Sequence, residues 1–231
     1  MDKLLIFAAF VLLVVLASSV RKDRNRKKII FFGDSITEAG TAPKGYITII
    51  QSMLRQYGIE NYDLVGAGIG GNKVYDLYQR MNNDVIAKLP FIVVILIGVN
   101  DVWHKKTHGG GTDAYTFEKI YRAIVNRLRE INIKVVVCTP AFIGEKTDFS
   151  NEQDADLDEY CNIIRRIAAQ EDLPLVDLRN ALRDYNILNN PQNLYSGILT
   201  VDGVHLNNRG NQLVAEQMWA VIKDSTSHAT P

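Results

Sequence analysis

The chain has 231 residues, a length that favours one domain. Its 47% hydrophobic and 23% charged residues suit a soluble globular protein with a core. Lys plus Arg and Asp plus Glu both number 26, and this zero net charge argues against a nucleic-acid binder. The two cysteines, Cys138 and Cys161, are too few for a disulfide framework, and Cys138, which closes an apolar run, reads as a small buried hydrophobe.

Residues 4–20 carry no charge, glycine or proline. Lys3 precedes them, and Ala17 with Ser19 gives a small-x-small pattern suited to signal cleavage. Their length lies at the lower edge of a membrane span, roughly 17 to 25 residues. Residues 21–28 then hold six basic residues and one acid, a flank that the positive-inside rule keeps in the cytoplasm. A cleaved signal peptide and an uncleaved anchor both fit. Either makes the protein membrane-associated or exported (periplasmic or secreted), with membrane contact through residues 4–20. The expected organisation is a signal or anchor with its basic flank over 1–27, a catalytic domain over 28–225, and a frayed tail over 226–231. The run from Asp224 to Pro231 is polar throughout.

Apolar runs then recur at 29–32, 62–65, 91–97, 133–138 and 175–176. Several are nearly continuous, as parallel strands covered on both faces should be. The segments between them show helical spacing. Phe117, Ile120, Tyr121, Ile124 and Leu128 form one stripe, and Val214, Met218, Val221 and Ile222 form another. Strands alternating with helices predict an α/β sheet with right-handed crossovers, which binds ligands at the carboxyl ends of its strands.

The chemistry-bearing residues fall at those ends. Gly33-Asp34-Ser35-Ile36-Thr37 follows the first run. Gly68-Ile69-Gly70-Gly71-Asn72 follows the second, and Gly98-Val99-Asn100-Asp101 the third. Asp202-Gly203-Val204-His205 precedes the last helical stripe. A serine hydroxyl needs a base to become a nucleophile. His205 is a candidate, because imidazole titrates near neutral pH. Asp202, three residues earlier, can hold the required tautomer.

These four blocks, in this order, resemble those of the SGNH/GDSL hydrolases, and the match runs from about Lys28 to the end of the chain. The resemblance implies a three-layer, flavodoxin-like fold with a five-stranded parallel sheet. It implies a GDSL-type carboxylic ester hydrolase that works through an acyl-enzyme on Ser35. It implies Ser35, Asp202 and His205 as catalytic residues. It also implies an oxyanion hole made by the backbone N–H of Ser35, the backbone N–H of Gly71 and the side-chain amide of Asn100.

Other readings compete at each position. Ser35 alone could cap the following helix. Asp34 reads as a cap or brace of the turn, and Asp101 as a residue that orders its loop. His104, His108 and His228 read as surface residues. Trp103 and His104 follow Asn100 so closely that either can contact substrate.

Three patterns fail on closer reading. Residues 66–71 spell G-x-G-x-x-G, but no acid ends the next strand, as a dinucleotide site requires. His108-Gly109-Gly110-Gly111 copies a lipase oxyanion motif in a chain without the G-x-S-x-G elbow; the glycines read as a mobile loop at the site mouth, a candidate lid. His104 and His108 lack the glutamate of a zinc-protease helix. The chemistry requires no metal and no cofactor.

The expected activity is hydrolysis of small-molecule esters with a short acyl group, as in an esterase or deacetylase. No long apolar insertion offers a lipid cradle. A lysophospholipase or thioesterase acting on longer chains is the rival enzyme reading, and an acyltransferase is a subtler one. A non-catalytic protein that binds ligand in the same cleft is the rival of another class.

Overall fold

The computed structural model describes residues 26–107 and 109–227. The segment 4–20, His108 and His228 lie outside the described residues. Five strands, β1 (Lys27–Gly33), β2 (Tyr62–Gly68), β3 (Ile92–Leu96), β4 (Lys134–Cys138) and β5 (Leu175–Val176), form one parallel sheet in the order β2-β1-β3-β4-β5. Each strand falls on one of the five apolar runs. β3 is buried along its whole length, because helices cover both faces of the sheet.

The helices divide into two layers. On one face α2 (Tyr46–Gln56) packs against α8 (Asn208–Ser227), which also meets α7 (Leu178–Asn189). On the other face α3 (Val74–Asp84) meets α5 (Ala114–Glu130), which in turn meets α6 (Asp154–Gln170). Two helices at the carboxyl edge, α1 (Ser35–Ala39) and α4 (Val99–Thr107), complete the set. The α5 stripe buries Phe117, Tyr121, Ile124, Val125 and Leu128, while Ile120 is only partly covered. In α8, Val214, Met218 and Ile222 are buried. That helix continues through Ser227, so the polar run from Asp224 begins inside it. Cys138 and Cys161 are both free and buried.

The register positions the site. Gly33 pairs with Gly68 on one side and Leu96 on the other, and Leu96 pairs with Cys138. Three motif-bearing loops therefore leave the sheet side by side. The order reverses at β1, where the chain steps out to β2 and returns to β3. This is the switch point at which open α/β sheets place their ligands.

Candidate active site

Ser35 opens α1 directly after β1. The turn that presents it has little slack: a Cβ on Gly33 would lie 2.3 Å from the Leu96 carbonyl oxygen and from Thr37 Oγ1. Asp34 caps α1, its Oδ1 accepting the Ile36 N–H at 3.0 Å. The brace expected of Asp34 is thus present, and the cap position falls to Asp34 instead of Ser35.

His205 Nδ1–H donates to Asp202 Oδ2 at 2.7 Å. That tautomer leaves Nε2 as the acceptor for the Ser35 hydroxyl, 3.0 Å away. Burial alone would raise the Asp202 carboxyl. The hydrogen bonds from the His205 ring and from the His205 and Val204 N–H groups outweigh it and hold the carboxyl below the usual range.

Asp202 and His205 ride on a tight hairpin. Thr200 and Leu206 form an antiparallel bridge, Val201 N–H donates to the His205 carbonyl at 2.8 Å, and Gly203 N–H donates to Thr200 Oγ1 at 2.9 Å. Gly203 has φ +95° and its Cβ position lies 2.6 Å from the Tyr195 ring, so only glycine fits.

The hairpin hangs from Glu145, which the sequence reading did not single out. This side chain is fully buried. Its Oε2 accepts the Ile198 N–H and its Oε1 the Leu199 N–H, both at 2.8 Å, and Oε1 also accepts the Thr200 N–H. Three backbone donors thus solvate one buried carboxylate. Gly144 N–H adds a bond to the Gly203 carbonyl at 2.8 Å.

The glycine and asparagine blocks meet beside Ser35. A Cβ on Gly70 would lie 3.9 Å from Ser35 Cβ and 3.2 Å from Glu38 Oε2, which accepts the Gly70 N–H at 2.9 Å. Gly71 adopts φ +75°. Asn100 is buried, and its amide donates to the Asn72 carbonyl at 3.1 Å. Arg80, also unforeseen, braces this loop from below. It donates to Asn72 Oδ1 at 2.7 Å and to the carbonyls of Gly33 and Ala67 at 2.7 and 2.9 Å.

Asp101 orders its loop as expected, its carboxylate accepting the Val74 N–H. Burial pushes the Asp101 carboxyl up to about 6. The Asp34 carboxyl is pushed up to about 7 by burial, with the nearby Asp101 charge adding to the rise and the Ile36 N–H opposing it.

The Trp103 and His104 rings lie beside each other, 6.2 Å between centroids, and each has a further neighbour in the site. The Trp103 ring meets His205 nearly edge-on at a centroid distance of 6.2 Å. His104 Cε1 lies 3.9 Å from the Cβ position of Gly71. The glycines that read as a lid are, over residues 109–112, tied to their neighbours. Gly110 N–H donates to the His104 carbonyl at 3.1 Å, Thr112 N–H to the Asp101 carbonyl at 3.0 Å, and Lys73 Nζ and the Tyr160 hydroxyl reach the Gly110 and Thr112 carbonyls. This stretch is a brace against α4, not a flap. Among the described residues no cluster of His, Cys, Asp and Glu could hold a metal ion.

A parallel α/β sheet with a Ser–His–Asp chain at its carboxyl edge defines an architecture suited to acyl transfer by serine. The chain belongs to the GDSL-like lipase/acylhydrolase family, whose model matches residues 31–213. Its solved relatives include an acetyl xylan esterase, AlAXEase, 56% identical, with a TM-score of 0.83 over 84% of this chain and 99% of the other. An acetylxylan esterase from Geobacillus stearothermophilus is 30% identical over 82% of this chain and 90% of that protein. Structures of Axe2, an acetylxylan esterase from that organism, include catalytic mutants in which a serine, a histidine or an aspartate is replaced by alanine. They are 26% identical to this chain over 85% of it and 94% of theirs, with TM-scores of 0.74 to 0.75. An uncharacterized lipoprotein of Bacillus subtilis, YqeF, is 25% identical over 90% of this chain and 93% of its own. The protein is a carboxylic ester hydrolase.

Proposed function

We propose that Ser35 is the nucleophile, His205 the general base and acid, and Asp202 its orienter, in a deacetylase of acetylated carbohydrates. The observation that carries this reading is the unbroken hydrogen-bond chain from Ser35 Oγ through His205 to Asp202. Ser35 Oγ bonds to the ester carbonyl carbon as its proton passes to His205 Nε2. The bond between the carbonyl carbon and the alcohol oxygen then breaks, and that oxygen takes the proton from His205 Nε2 as the alcohol leaves. Water repeats the sequence on the acyl-enzyme, releasing the acid and restoring Ser35. The backbone N–H groups of Ser35 and Gly71 and the Asn100 amide serve the oxyanion. The support is their common edge: Gly70 lies against Ser35, and Asn100 bonds to the same loop at Asn72.

The acetyl preference is supported by the acetylxylan esterases among the relatives. A panel of esters from acetyl to palmitoyl, run on wild type beside Ser35→Ala, tests both parts. The reading expects the highest kcat/KM at acetyl and no activity in the variant. A maximum at long chains returns the lysophospholipase or thioesterase reading, and an active variant removes Ser35.

We further propose that residues 28–225 form the catalytic unit and that residues 4–20 direct export or anchoring. Support comes from their composition and from the relative described as a lipoprotein. Among the described residues no helix is long and apolar enough to cross a membrane. The size of the mature chain on a blot distinguishes cleavage near Ser19 from retention.

A further inference from the structure

We infer that the alcohol half of the ester, a sugar, docks in a groove running from Trp103 to the Lys106–Glu152 ion pair, with Trp103 and Tyr195 as its walls. This rests on the reading of Ser35 and His205 above and extends it to the departing group. The leaving oxygen must take its proton from His205 Nε2. The alcohol therefore lies on the His205 side of Ser35. Trp103 is the aromatic ring on that side, edge-on to His205 at 6.2 Å. His104, the next residue, reaches toward Gly71 with its ring beside that of Trp103, 6.2 Å between centroids.

Beyond Trp103 opens a groove of about 310 Å3. Tyr195 forms its opposite wall, with its ring against Gly203 in the catalytic hairpin and its carbonyl accepting the Glu145 N–H at 2.8 Å. Ile143 lines it, as do Lys106 and Glu152, which pair at 2.9 Å. Lys146 and Ser150 add polar atoms to the rim.

The lining selects the occupant. Trp103, Tyr195 and Ile143 give the lining its apolar surface, and Lys106, Lys146 and Glu152 set charged groups beside them. A sugar ring matches both. Its C–H face lies on an aromatic wall, and its hydroxyls meet the ammonium, carboxylate and hydroxyl groups of the rim. The deacetylase reading names a carbohydrate ester, and this groove gives its alcohol a place in the fold.

The test compares kcat/KM for an acetylated xylo-oligosaccharide with kcat/KM for ethyl acetate in wild type, Trp103→Ala and Tyr195→Ala. Their ratio does not depend on the fraction of enzyme that folds. The inference expects the ratio to fall by about tenfold in each variant, mainly through KM for the oligosaccharide, with Trp103→Phe recovering most of the loss. A ratio within about twofold of wild type in both alanine variants overturns the groove. So does an equal loss on both esters, which would leave Trp103 a support for His205 only. If wild type cleaves ethyl acetate and ignores the oligosaccharide, the carbohydrate reading fails as a whole. If it cleaves neither, the acetyl-ester reading fails with it, and activity on longer acyl chains decides whether Ser35 stands.

Discussion

Replacing Glu145 by glutamine keeps the side chain's shape and removes its charge, which probes how the hairpin of Asp202 and His205 is held. The carboxylate accepts three backbone N–H groups, from Ile198, Leu199 and Thr200. A glutamine amide has one oxygen. If it faces Leu199 and Thr200, its NH2 group meets the Ile198 N–H, and a buried donor loses its acceptor. A hydrogen bond to a charged group contributes about 1.5–3 kcal/mol, and an unsatisfied buried donor costs about 1–3 kcal/mol. The variant should therefore lose roughly 3–5 kcal/mol, a large share of the ~5–15 kcal/mol typical of a domain. At about 2–4 °C per kcal/mol for a chain of this size, Tm should fall by on the order of 10 °C. The loosened residues lead straight into Asp202 and His205, and a displacement of about 1 Å at a reacting group can cost about 10²-fold. The expected outcome is a kcat for 4-nitrophenyl acetate lower by about 10- to 100-fold at 25 °C, with a smaller change in KM. Thermal melts and rates normalised by active-site titration measure both. A variant that melts within about 2 °C of wild type and keeps kcat within about twofold refutes the reasoning, since these losses follow from any such loss of bonding.

Other outcomes follow from the same geometry. Asn100→Ala should lower kcat by about 10²–10³ with little change in KM, because an oxyanion donor acts mainly in the transition state; a loss confined to KM would make Asn100 a substrate-binding residue instead. Gly71→Ala should lower kcat comparably, since φ +75° strains any other residue and shifts the N–H; wild-type kinetics would remove Gly71 from the hole. Asp34→Asn tests a pH linkage. Its carboxyl is pushed from an ordinary 3.8 up to about 7, so the folded state favours the proton. The stability from that proton is complete below pH 4 and is lost as pH rises toward 7, a span of roughly 4 kcal/mol. Asparagine does not ionise and keeps an oxygen for the Ile36 N–H. The Tm of Asp34→Asn relative to wild type should therefore climb between pH 4 and 7.5, and a difference flat with pH would contradict the burial of an ionisable Asp34.

The parts of this molecule legible in its sequence are those written locally. Each strand is a short apolar run, because a parallel strand buried on both faces leaves no room for alternation. Each motif block is a handful of adjacent residues at a strand end, so Ser35, Gly71, Asn100, Asp202 and His205 were all in view before the fold. The order β2-β1-β3-β4-β5 was in view only through the resemblance to a flavodoxin-like fold, since pairing between strands leaves little mark on either strand alone. Glu145 and Arg80 were hidden for the same reason. A glutamate in a loop ordinarily points to water, and the partners of this one lie more than fifty residues on, at Ile198, Leu199 and Thr200. Arg80 reads as one more polar residue on an amphipathic helix until its contacts with Gly33, Ala67 and Asn72 are seen. The glycines at 109–111 suggested mobility because glycine permits it, whereas a Cβ on Gly111 would lie 2.3 Å from Lys105 Cγ and 2.5 Å from the Asp101 carbonyl oxygen. Close packing requires that glycine.

The central claim is that Ser35 carries the acyl group. Stoichiometric labelling of the full-length wild-type enzyme with a fluorophosphonate, followed by peptide mass spectrometry, tests it most directly. The account predicts a single adduct, on Ser35, whose formation parallels the loss of esterase activity, and no adduct in Ser35→Ala. An adduct on another residue, or full inactivation with Ser35 unmodified, would contradict it.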